Sequence, residues 1–354
     1  MLICQCATKY LNSLHIGLAK LKIYHLFLLH LQKFYFTMKV IELLSNSQKT
    51  AFSFEILPPI KGNSFNKVCG IIDKLLEFDP KYINITTHHS ENIYKPAENG
   101  LMQKVNIRKR PGTVAIAAAI QNRYNITAVP HIICKGFTKD ETEYALIDLN
   151  FLGVHDLLLL RGDANKLETG QILPGQSHEY TIGLQQQVNL FNKGISIDGT
   201  SFEKPETPFS YGVACYPEKH EEAPNMESDI AFLKQKVEAG ADYAVTQMFF
   251  DNSKYFEFVD RCRKEGITVP IIPGIKPVVF KNQLTVLPKI FRSDIPEDFA
   301  RELRKCKTDE DAKTVGIEWC IAQCKELITK GVPSLHFYTL MASDSVRQIA
   351  KTIY

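Results

Sequence analysis

The sequence predicts an α/β protein: a (β/α)8 TIM barrel with insertions over residues 38–354, and an N-terminal extension, residues 1–37, that lies outside the fold. Two observations predict this fold. Eight short apolar runs alternate with helical segments, which is the order that closes a parallel barrel. The first of these runs is bulky on one face and small on the other, as expected for a strand whose small face looks into a barrel.

The first predicted strand, Ala51–Pro59, ends at two prolines. Phe52, Phe54 and Ile56 fall on the face that we expect to pack against helices. Ala51, Ser53 and Glu55 fall on the other face, so the carboxyl group enters the barrel near the strand's C-terminal end. Barrel enzymes place their chemistry at that end.

The other elements follow in order along the chain. The remaining predicted strands are Lys81–Thr87, Thr127–Cys134, Asp156–Arg161, Ser210–Cys215, Tyr243–Gln247, Val269–Pro273 and Leu335–Tyr338. The predicted helices are Met38–Ser47, Ser64–Phe78, Thr113–Tyr124, Thr138–Phe151, Glu179–Asn192, Ser228–Ala239, Ser253–Glu265, Lys281–Phe291, helical material in Pro296–Lys330, and Ser343–Thr352. Ser64 and Thr138 are the predicted N-caps of their helices. Long polar segments after strands two and four are predicted insertions.

The N-terminal extension accounts for the positive net charge. Residues 1–41 contain five lysines and no acidic residue, whereas the whole chain has a net charge of +3. The remaining chain is close to neutral, which gives no electrostatic argument for nucleic-acid binding. The apolar part of the extension is interrupted by lysine and histidine too often for a bilayer span. We therefore expect Met38 to begin the native fold.

The nine cysteines are odd in number and scattered along the chain. This pattern is typical of free thiols in a reducing compartment and predicts a cytoplasmic protein. Cys320 and Cys324 lie one helical turn apart, but no second pair has zinc-site spacing, so no metal is predicted.

Polar residues lie where the predicted strands end. They are Glu55, Thr86, Thr87, His131, Arg161, Gly162, Asp163, Tyr216, His220 and Gln247. Because the C-terminal ends of all barrel strands share one face, this pattern indicates an enzyme. No two glycines lie two residues apart, so the Rossmann fingerprint is absent, and no Walker-type loop is present.

Six motifs carry a family resemblance: FSFEILPP, LLLLRGD, ACYPEKHEEA, DYAVTQMFFD, IIPGIKP and LHFYTL, in this order. From about Met38 to the C-terminus the chain resembles methylenetetrahydrofolate reductase of the bacterial single-domain type. The resemblance implies a barrel that binds FAD and uses NADH or NADPH to reduce 5,10-methylenetetrahydrofolate to 5-methyltetrahydrofolate. It further implies ping-pong kinetics, a role in supplying methyl groups for methionine synthesis, and a homo-oligomer without membrane or nucleic-acid partners.

The resemblance also implies residue roles. Glu55 is the general acid that opens the imidazolidine ring of the folate, and Asp163 is a catalytic carboxylate near the flavin and folate. Gln247, Gln283 and Leu287 contact the substrate. The implied FAD contacts are Thr86, Thr87, His131, Arg161, Gly162, Asp163, Tyr180, Tyr216, His220, Ala223, Asp229 and Lys236.

The sequence departs from the family pattern at several positions. Leu287 stands where some relatives have phenylalanine, and residues 340–342 lack a basic side chain for the glutamate tail of the folate. Lys276 and Lys281 are candidate substitutes for that basic group. Phe232 and Gln235 replace polar or basic flavin contacts.

Two alternatives stay open at this point. One is a flavin-free barrel enzyme, such as an aldolase or a pterin-binding methyltransferase. An aldolase is disfavoured because no predicted strand ends in an inward lysine, and a zinc methyltransferase because paired cysteine ligands are missing. The other is a non-catalytic barrel, which is disfavoured by the presence of both Glu55 and Asp163.

Overall fold

The barrel is built from short, apolar strands that are almost wholly buried. A computed structural model describes residues 38–97, 100–162, 173, 175–340 and 342–354. The strands are β1 (Ala51–Ile56), β2 (Tyr82–Ile85), β3 (Glu91–Pro96), β4 (Met102–Ile107), β5 (Thr127–Ile133), β6 (Asp156–Leu160), β7 (Ser210–Cys215), β8 (Tyr243–Thr246), β9 (Ile271–Ile272), β10 (Gly274–Ile275) and β11 (Ser334–Leu340).

Parallel pairing closes the sheet. Its order is β10-β11-β1-β2-β5-β6-β7-β8-β9. Only Pro273 separates β9 from β10, so these two short strands are one interrupted strand. It pairs with β8 on one side and with β11 on the other. The result is the predicted eight-stranded (β/α)8 barrel.

Helices connect the strands around the outside. They are α1 (Val40–Asn46), α2 (Asn66–Ile72), α3 (Thr113–Tyr124), α4 (Lys139–Phe151), α5 (Thr181–Asn192), α6 (Met226–Glu238), α7 (Asn252–Lys264), α8 (Gln283–Phe291), α9 (Glu297–Lys305), α10 (Asp309–Thr329) and α11 (Ser343–Ile353). The predicted cap of α4 is confirmed: Thr138 Oγ1 accepts from the Glu141 amide at 3.1 Å, and the Glu141 carboxylate accepts from the Thr138 amide at 2.8 Å.

The predicted faces of the first strand are confirmed. Phe52, Phe54 and Ile56 belong to the large apolar cluster between sheet and helices. Ala51 belongs to a second, smaller cluster with Tyr82, Val129, Leu158 and Tyr243. That second cluster fills the amino-terminal half of the barrel interior, and α1 contributes Val40 and Leu44 to it.

Two local predictions are corrected, and the predicted insertion after strand two has secondary structure of its own. Helix α2 begins at Asn66 with Phe65 at its N-cap, so the Ser64 cap is wrong. The polar insertion after strand two contains an antiparallel hairpin of β3 and β4. Strand seven does not end at Pro273, because β10 continues it to Ile275.

The seven cysteines in the described part of the chain are unpaired and buried. The described residues contain no helix that could cross a membrane and no cluster of three or more metal-ligating side chains. The N-terminal extension, residues 1–37, lies outside the described residues.

Candidate active site

Glu55 occupies the last inward position of β1 and is only 7% exposed. Burial raises its pKa to about 8, although the positive charge of Lys276 lowers it in part. Its Oε2 lies 3.5 Å from Nε2 of His131. Burial also lowers the pKa of His131 to about 3, assisted by His336 and His88. At neutral pH this contact therefore joins a neutral acid to a neutral imidazole, and Glu55 carries a proton that it can donate.

A buried lysine lies on the same face. Lys276 follows β10, is 7% exposed, and donates to the carbonyl of Tyr338 at 3.2 Å. Burial lowers its pKa, and the charge of Glu55 opposes that shift. The expectation that no strand ends in an inward lysine is therefore wrong, because the strand was taken to end at Pro273.

Tyr338 occupies space that a glycine leaves open. Its hydroxyl donates to the Thr246 carbonyl at 2.5 Å. A Cβ at Gly274 would lie 2.3 Å from the Thr246 carbonyl oxygen and 2.5 Å from the Tyr338 ring. Glycine is therefore required at this position of β10 for the tyrosine to cross it and lie beside Glu55.

Arg161 follows β6 and makes contacts on two sides. Its Nη2 donates to Oε1 of Glu222 at 2.9 Å, and its guanidinium lies 5.3 Å from the ring centre of Tyr180. The Nε of Arg161 is buried without a hydrogen-bond partner in the described residues. This nitrogen is a free donor for an anionic ligand.

The loop from β7 to α6 gathers more of the predicted cofactor residues. The rings of Tyr216 and His220 meet edge to face with centroids 4.7 Å apart. The His220 amide donates to Oδ2 of Asp229 at 2.9 Å. Lys236 is half-buried and donates to the Ala214 carbonyl at 2.6 Å, and desolvation lowers its pKa. Ala223 is 5% exposed, and its amide donates to the His220 carbonyl at 3.1 Å.

The threonines after β2 turn towards β5. Thr87 Oγ1 donates to the His131 carbonyl at 2.5 Å, and Thr86 Oγ1 lies 3.1 Å from Nε2 of His88. Thr87 and His131 line a cavity of about 310 Å³. Arg108 and Arg110, at the end of the hairpin insertion, line its other side. The predicted flavin contacts on β2 and β5 thus border open space.

The three predicted substrate residues differ in their surroundings. Gln247 is half-buried directly after β8, and its Oε1 accepts from the Met248 amide at 2.9 Å. Gln283 Oε1 accepts from the amide of Val279 at 2.7 Å, so it also shapes the start of α8. Leu287 is 3% exposed and packs in the cluster under α8 to α10. Their contact with a substrate stays a prediction.

Some predicted residues could not be placed, and others were missed. Gly162 follows Arg161 with φ of 80°, whereas Asp163 lies outside the described residues. Sequence reasoning did not single out Asn84, Glu222, His336 or Tyr338. The sequence contains a signal for Asn84, His336 and Tyr338. Asn84 lies two positions before Thr86 on the predicted strand, and His336 and Tyr338 occupy alternate positions of LHFYTL.

Comparison with known proteins gives the same family as the resemblance of the six sequence motifs. The family model described as methylenetetrahydrofolate reductase matches residues 40–354. The 5,10-methylenetetrahydrofolate reductase of Escherichia coli (strain K12) is 31% identical over 302 residues, covering 85% of this chain and 90% of that protein. The probable methylenetetrahydrofolate reductase (NADPH) of Caenorhabditis elegans is 30% identical over 88% of this chain. The chain spans only 43% of that relative, and 49% of methylenetetrahydrofolate reductase (NADH) 1 of Arabidopsis thaliana.

A solved structure supports the fold alone. An uncharacterised Clostridium thermocellum protein, described as binding two copies of 5-methyl-5,6,7,8-tetrahydrofolic acid, aligns with a TM-score of 0.54 at 16% identity, covering 88% of this chain and 98% of that one. The family match covers nearly all of the barrel, and it includes Glu55 and the strand-end residues described above. The chain therefore belongs to the methylenetetrahydrofolate reductase family.

Proposed function

We propose that this protein reduces 5,10-methylenetetrahydrofolate to 5-methyltetrahydrofolate, with NADH or NADPH as electron donor and FAD as bound cofactor. Family membership supports the reaction type. The observation that carries the proposal is the carboxyl of Glu55, buried at the C-terminal end of β1 against His131, where burial raises its pKa to about 8.

Glu55 acts as the general acid in this proposal. It donates its proton to a ring nitrogen of the folate, which opens the five-membered ring to the 5-iminium cation that accepts hydride. A carboxyl group surrounded by apolar atoms holds its proton near neutral pH and releases it to a basic nitrogen in contact with it. Lys276 moderates this effect, since its charge favours the carboxylate once the proton has left.

The residues present fit FAD. When bound, the flavin supplies the hydride relay between the nicotinamide and the folate. The free Nε of Arg161 and the half-buried ammonium of Lys236 suit its pyrophosphate. Asp229 and His220 hold the loop that carries Tyr216 and Ala223, so these residues would orient the cofactor. Thr86, Thr87, His131, Gly162 and Tyr180 complete the proposed contacts.

The remaining roles complete the proposal. Asp163 stabilises the cationic folate by its charge, and Gln247, Gln283 and Leu287 position the substrate. Donor and acceptor use the flavin in turn, so the kinetics are ping-pong. Relatives are named for NADPH or for NADH, which leaves both donors in the proposal. We further propose a cytoplasmic homo-oligomer that supplies methyl groups for methionine synthesis.

The experiment is an anaerobic absorbance spectrum of the purified protein, first with NADH or NADPH and then with methylenetetrahydrofolate. We expect a visible flavin band that bleaches with the nicotinamide and returns with the folate. Glu55→Gln should leave the bleaching intact and abolish the return, because the amide cannot donate the proton.

The matched control is Glu326→Gln on α10, where a carboxylate outside the site accepts from Asn252 at 2.6 Å. It should behave like the unaltered protein in both steps. A protein that stays colourless after incubation with FAD would refute the flavin reaction, and a Glu55→Gln variant that still regains the band would refute the role of Glu55.

A further inference from the structure

A line of polar side chains runs through the barrel interior below Glu55. Barrel interiors are usually filled by branched aliphatic residues. Here Ser53, Tyr82, Tyr243, Ser334 and His336 are all fully buried at inward positions of β1, β2, β8 and β11. Such polar groups are costly to bury unless they are hydrogen-bonded, so their arrangement needs an explanation.

The middle of this line is continuous. The Tyr82 hydroxyl donates to Ser334 Oγ at 3.4 Å, and Ser334 Oγ lies 3.4 Å from Ser53 Oγ. Ser53 Oγ in turn lies 3.0 Å from Nδ1 of His336. Each of these groups can both donate and accept a hydrogen bond. Ser334 Oγ also donates to the Ala51 carbonyl at 3.0 Å and Ser53 Oγ to the Leu335 carbonyl at 3.3 Å, so each hydroxyl hydrogen must turn from its backbone acceptor to pass a proton along the line.

The line is interrupted above His336. Its Nε2 is buried without a partner in the described part of the barrel, and so is Oδ1 of Asn84. The other amide atom of Asn84 lies 3.2 Å from Nε2 of His131, which contacts Glu55. His336 and Asn84 flank β1, opposite Ser53 and Glu55 respectively. The upper gap therefore lies between His336 and the group around Glu55.

A second gap lies at Tyr243. Its hydroxyl is the third buried atom of the interior without a partner among the described residues. The ring fills the space left by Gly212, where a Cβ would lie 2.3 Å from it. Burial raises the pKa of Tyr243, and Asp156 and Tyr82 act on it in the same direction. Tyr243 packs in the same interior cluster as Tyr82, at the lower end of the hydrogen-bonded line, and as Val40, whose amide donates to Asp156.

Asp156 ends the line at the amino-terminal face of the barrel. It is 3% exposed under α1, and its Oδ1 accepts from the Val40 amide at 2.9 Å. Burial raises its pKa to about 7, so it exchanges a proton close to neutral pH. Among the described residues, the hydrogen-bonded groups from Tyr82 to His336 thus have unpartnered atoms above and below them, in an interior with a buried carboxyl group at each end.

We propose that two buried water molecules fill these breaks and that the completed line returns a proton to Glu55 after each turnover. An unmet buried polar atom costs about 1–3 kcal/mol, and internal water is the usual partner for such atoms. The proposal rests on the proposed function, in which Glu55 loses one proton per folate reduced.

The proton balance closes. Glu55 gives its carboxyl proton to the folate nitrogen and takes one from the upper water. Each group along the line then passes one proton upward, and Asp156 gives up its own and regains it from solvent at the amino-terminal face. Tyr243 and His336 touch neither substrate nor cofactor, so they are positioning residues that act through this line. The path supplies Glu55 from below, on the side away from the folate and flavin.

The test compares the rate of a single turnover with the steady-state rate. Tyr243→Phe removes the hydroxyl and keeps the ring that fills the space at Gly212. Because Glu55 begins protonated, the single-turnover rate of folate reduction by the pre-reduced enzyme should stay within about twofold of the unaltered protein. Steady-state kcat, which needs resupply, should fall by at least about tenfold.

Tyr255→Phe is the matched control, because it removes a buried tyrosine hydroxyl outside the interior, where it donates to the Ile271 carbonyl at 2.7 Å. It should leave the ratio of kcat to the single-turnover rate unchanged. If Tyr243→Phe also leaves that ratio unchanged, or lowers both rates together, the relay is wrong.

A crystal structure of the unaltered protein decides the water positions independently of activity. Density for a water on Tyr243 and for one on His336 Nε2 is expected, and dry gaps would overturn the proposal. An unaltered protein that fails even the single-turnover reaction would refute the proposed function, and the water positions would still be decided by the crystal structure.

Discussion

Glu55 makes stability depend on pH in a direction opposite to that of an ordinary surface carboxylate. Its pKa rises from 4.5 when exposed to about 8 when folded. Between these values the folded protein binds more protons at Glu55 than the unfolded chain does. The free energy of unfolding therefore decreases at this site as pH rises from about 4.5 to about 8.

Glu55→Gln removes this dependence. The variant should match or exceed the unaltered protein in stability, and its advantage should grow from pH 5 to pH 8.5 by on the order of a few kcal/mol, since each pKa unit is about 1.4 kcal/mol. Urea unfolding at pH 5, 7 and 8.5 measures it. Glu326→Gln is the control, and equal pH dependence in all three proteins would contradict the raised pKa.

Predictions for single residues succeeded where they depend only on neighbouring positions in the chain. The inward position of Glu55 follows from the alternation of residues along β1, and it is confirmed because Phe52, Phe54 and Ile56 all pack in the outer cluster. The inward position of Lys276 beside Glu55 was not predicted, because a proline normally ends a strand. Pro273 here sits between two short strands, so the chain stays in the sheet and carries Lys276 to Glu55.

At the scale of elements, close backbone contacts hold this part of the site in place. Helix α10 packs against the segment after Lys276 at Gly316, where a Cβ would lie 2.0 Å from the Val278 carbonyl oxygen. Only a glycine permits this approach. The helix therefore fixes the segment that carries the buried lysine.

Gly316→Ala should destabilise the protein by about 1–3 kcal/mol, because backbone must move to relieve the overlap. Thermal unfolding of the variant measures the effect. Gly70→Ala in α2 is the matched control, since a Cβ there meets nothing within 4 Å. It should be neutral or stabilising by up to about 1 kcal/mol. Equal effects of the two substitutions would show that the close approach does not constrain α10.

The hairpin of β3 and β4 was not predicted from the sequence. Its residues are mostly exposed, so neither strand has the alternation of buried and exposed residues that marks a strand in sequence. Pairing between the two strands, not burial, forms it. Its register brings Arg108 and Arg110, which follow in the chain, to the cavity beside Thr87.

At the scale of the whole molecule, α1 closes the amino-terminal end of the barrel. Val40 is fully buried and Leu44 is 8% exposed in the interior cluster. The Thr127 hydroxyl donates to the Met38 carbonyl at 2.7 Å, and Asp156 accepts from Val40. The helix thus covers the lower carboxyl group of the proposed proton path.

A chain that begins at Met38 should keep the stability of the full chain, because these contacts start at Met38. A chain that begins at Gln48 should lose several kcal/mol, since burying each large apolar side chain contributes about 1.5–3 kcal/mol and Asp156 loses its donor. Thermal unfolding of the three proteins compares them. A marked loss on removing residues 1–37 alone would place the start of the fold earlier than predicted.

The sequence by itself determined the barrel, the order of its strands, and the strand-end position of Glu55, Thr87, His131 and Arg161. These follow from periodicity and from the rule that parallel strands share one C-terminal face. The tertiary structure alone decided that Lys276 faces Glu55, that Glu222 pairs with Arg161, and that three interior polar atoms lack partners among the described residues. These contacts depend on which strands meet across the barrel. Local sequence patterns do not specify contacts between residues that are far apart in the chain.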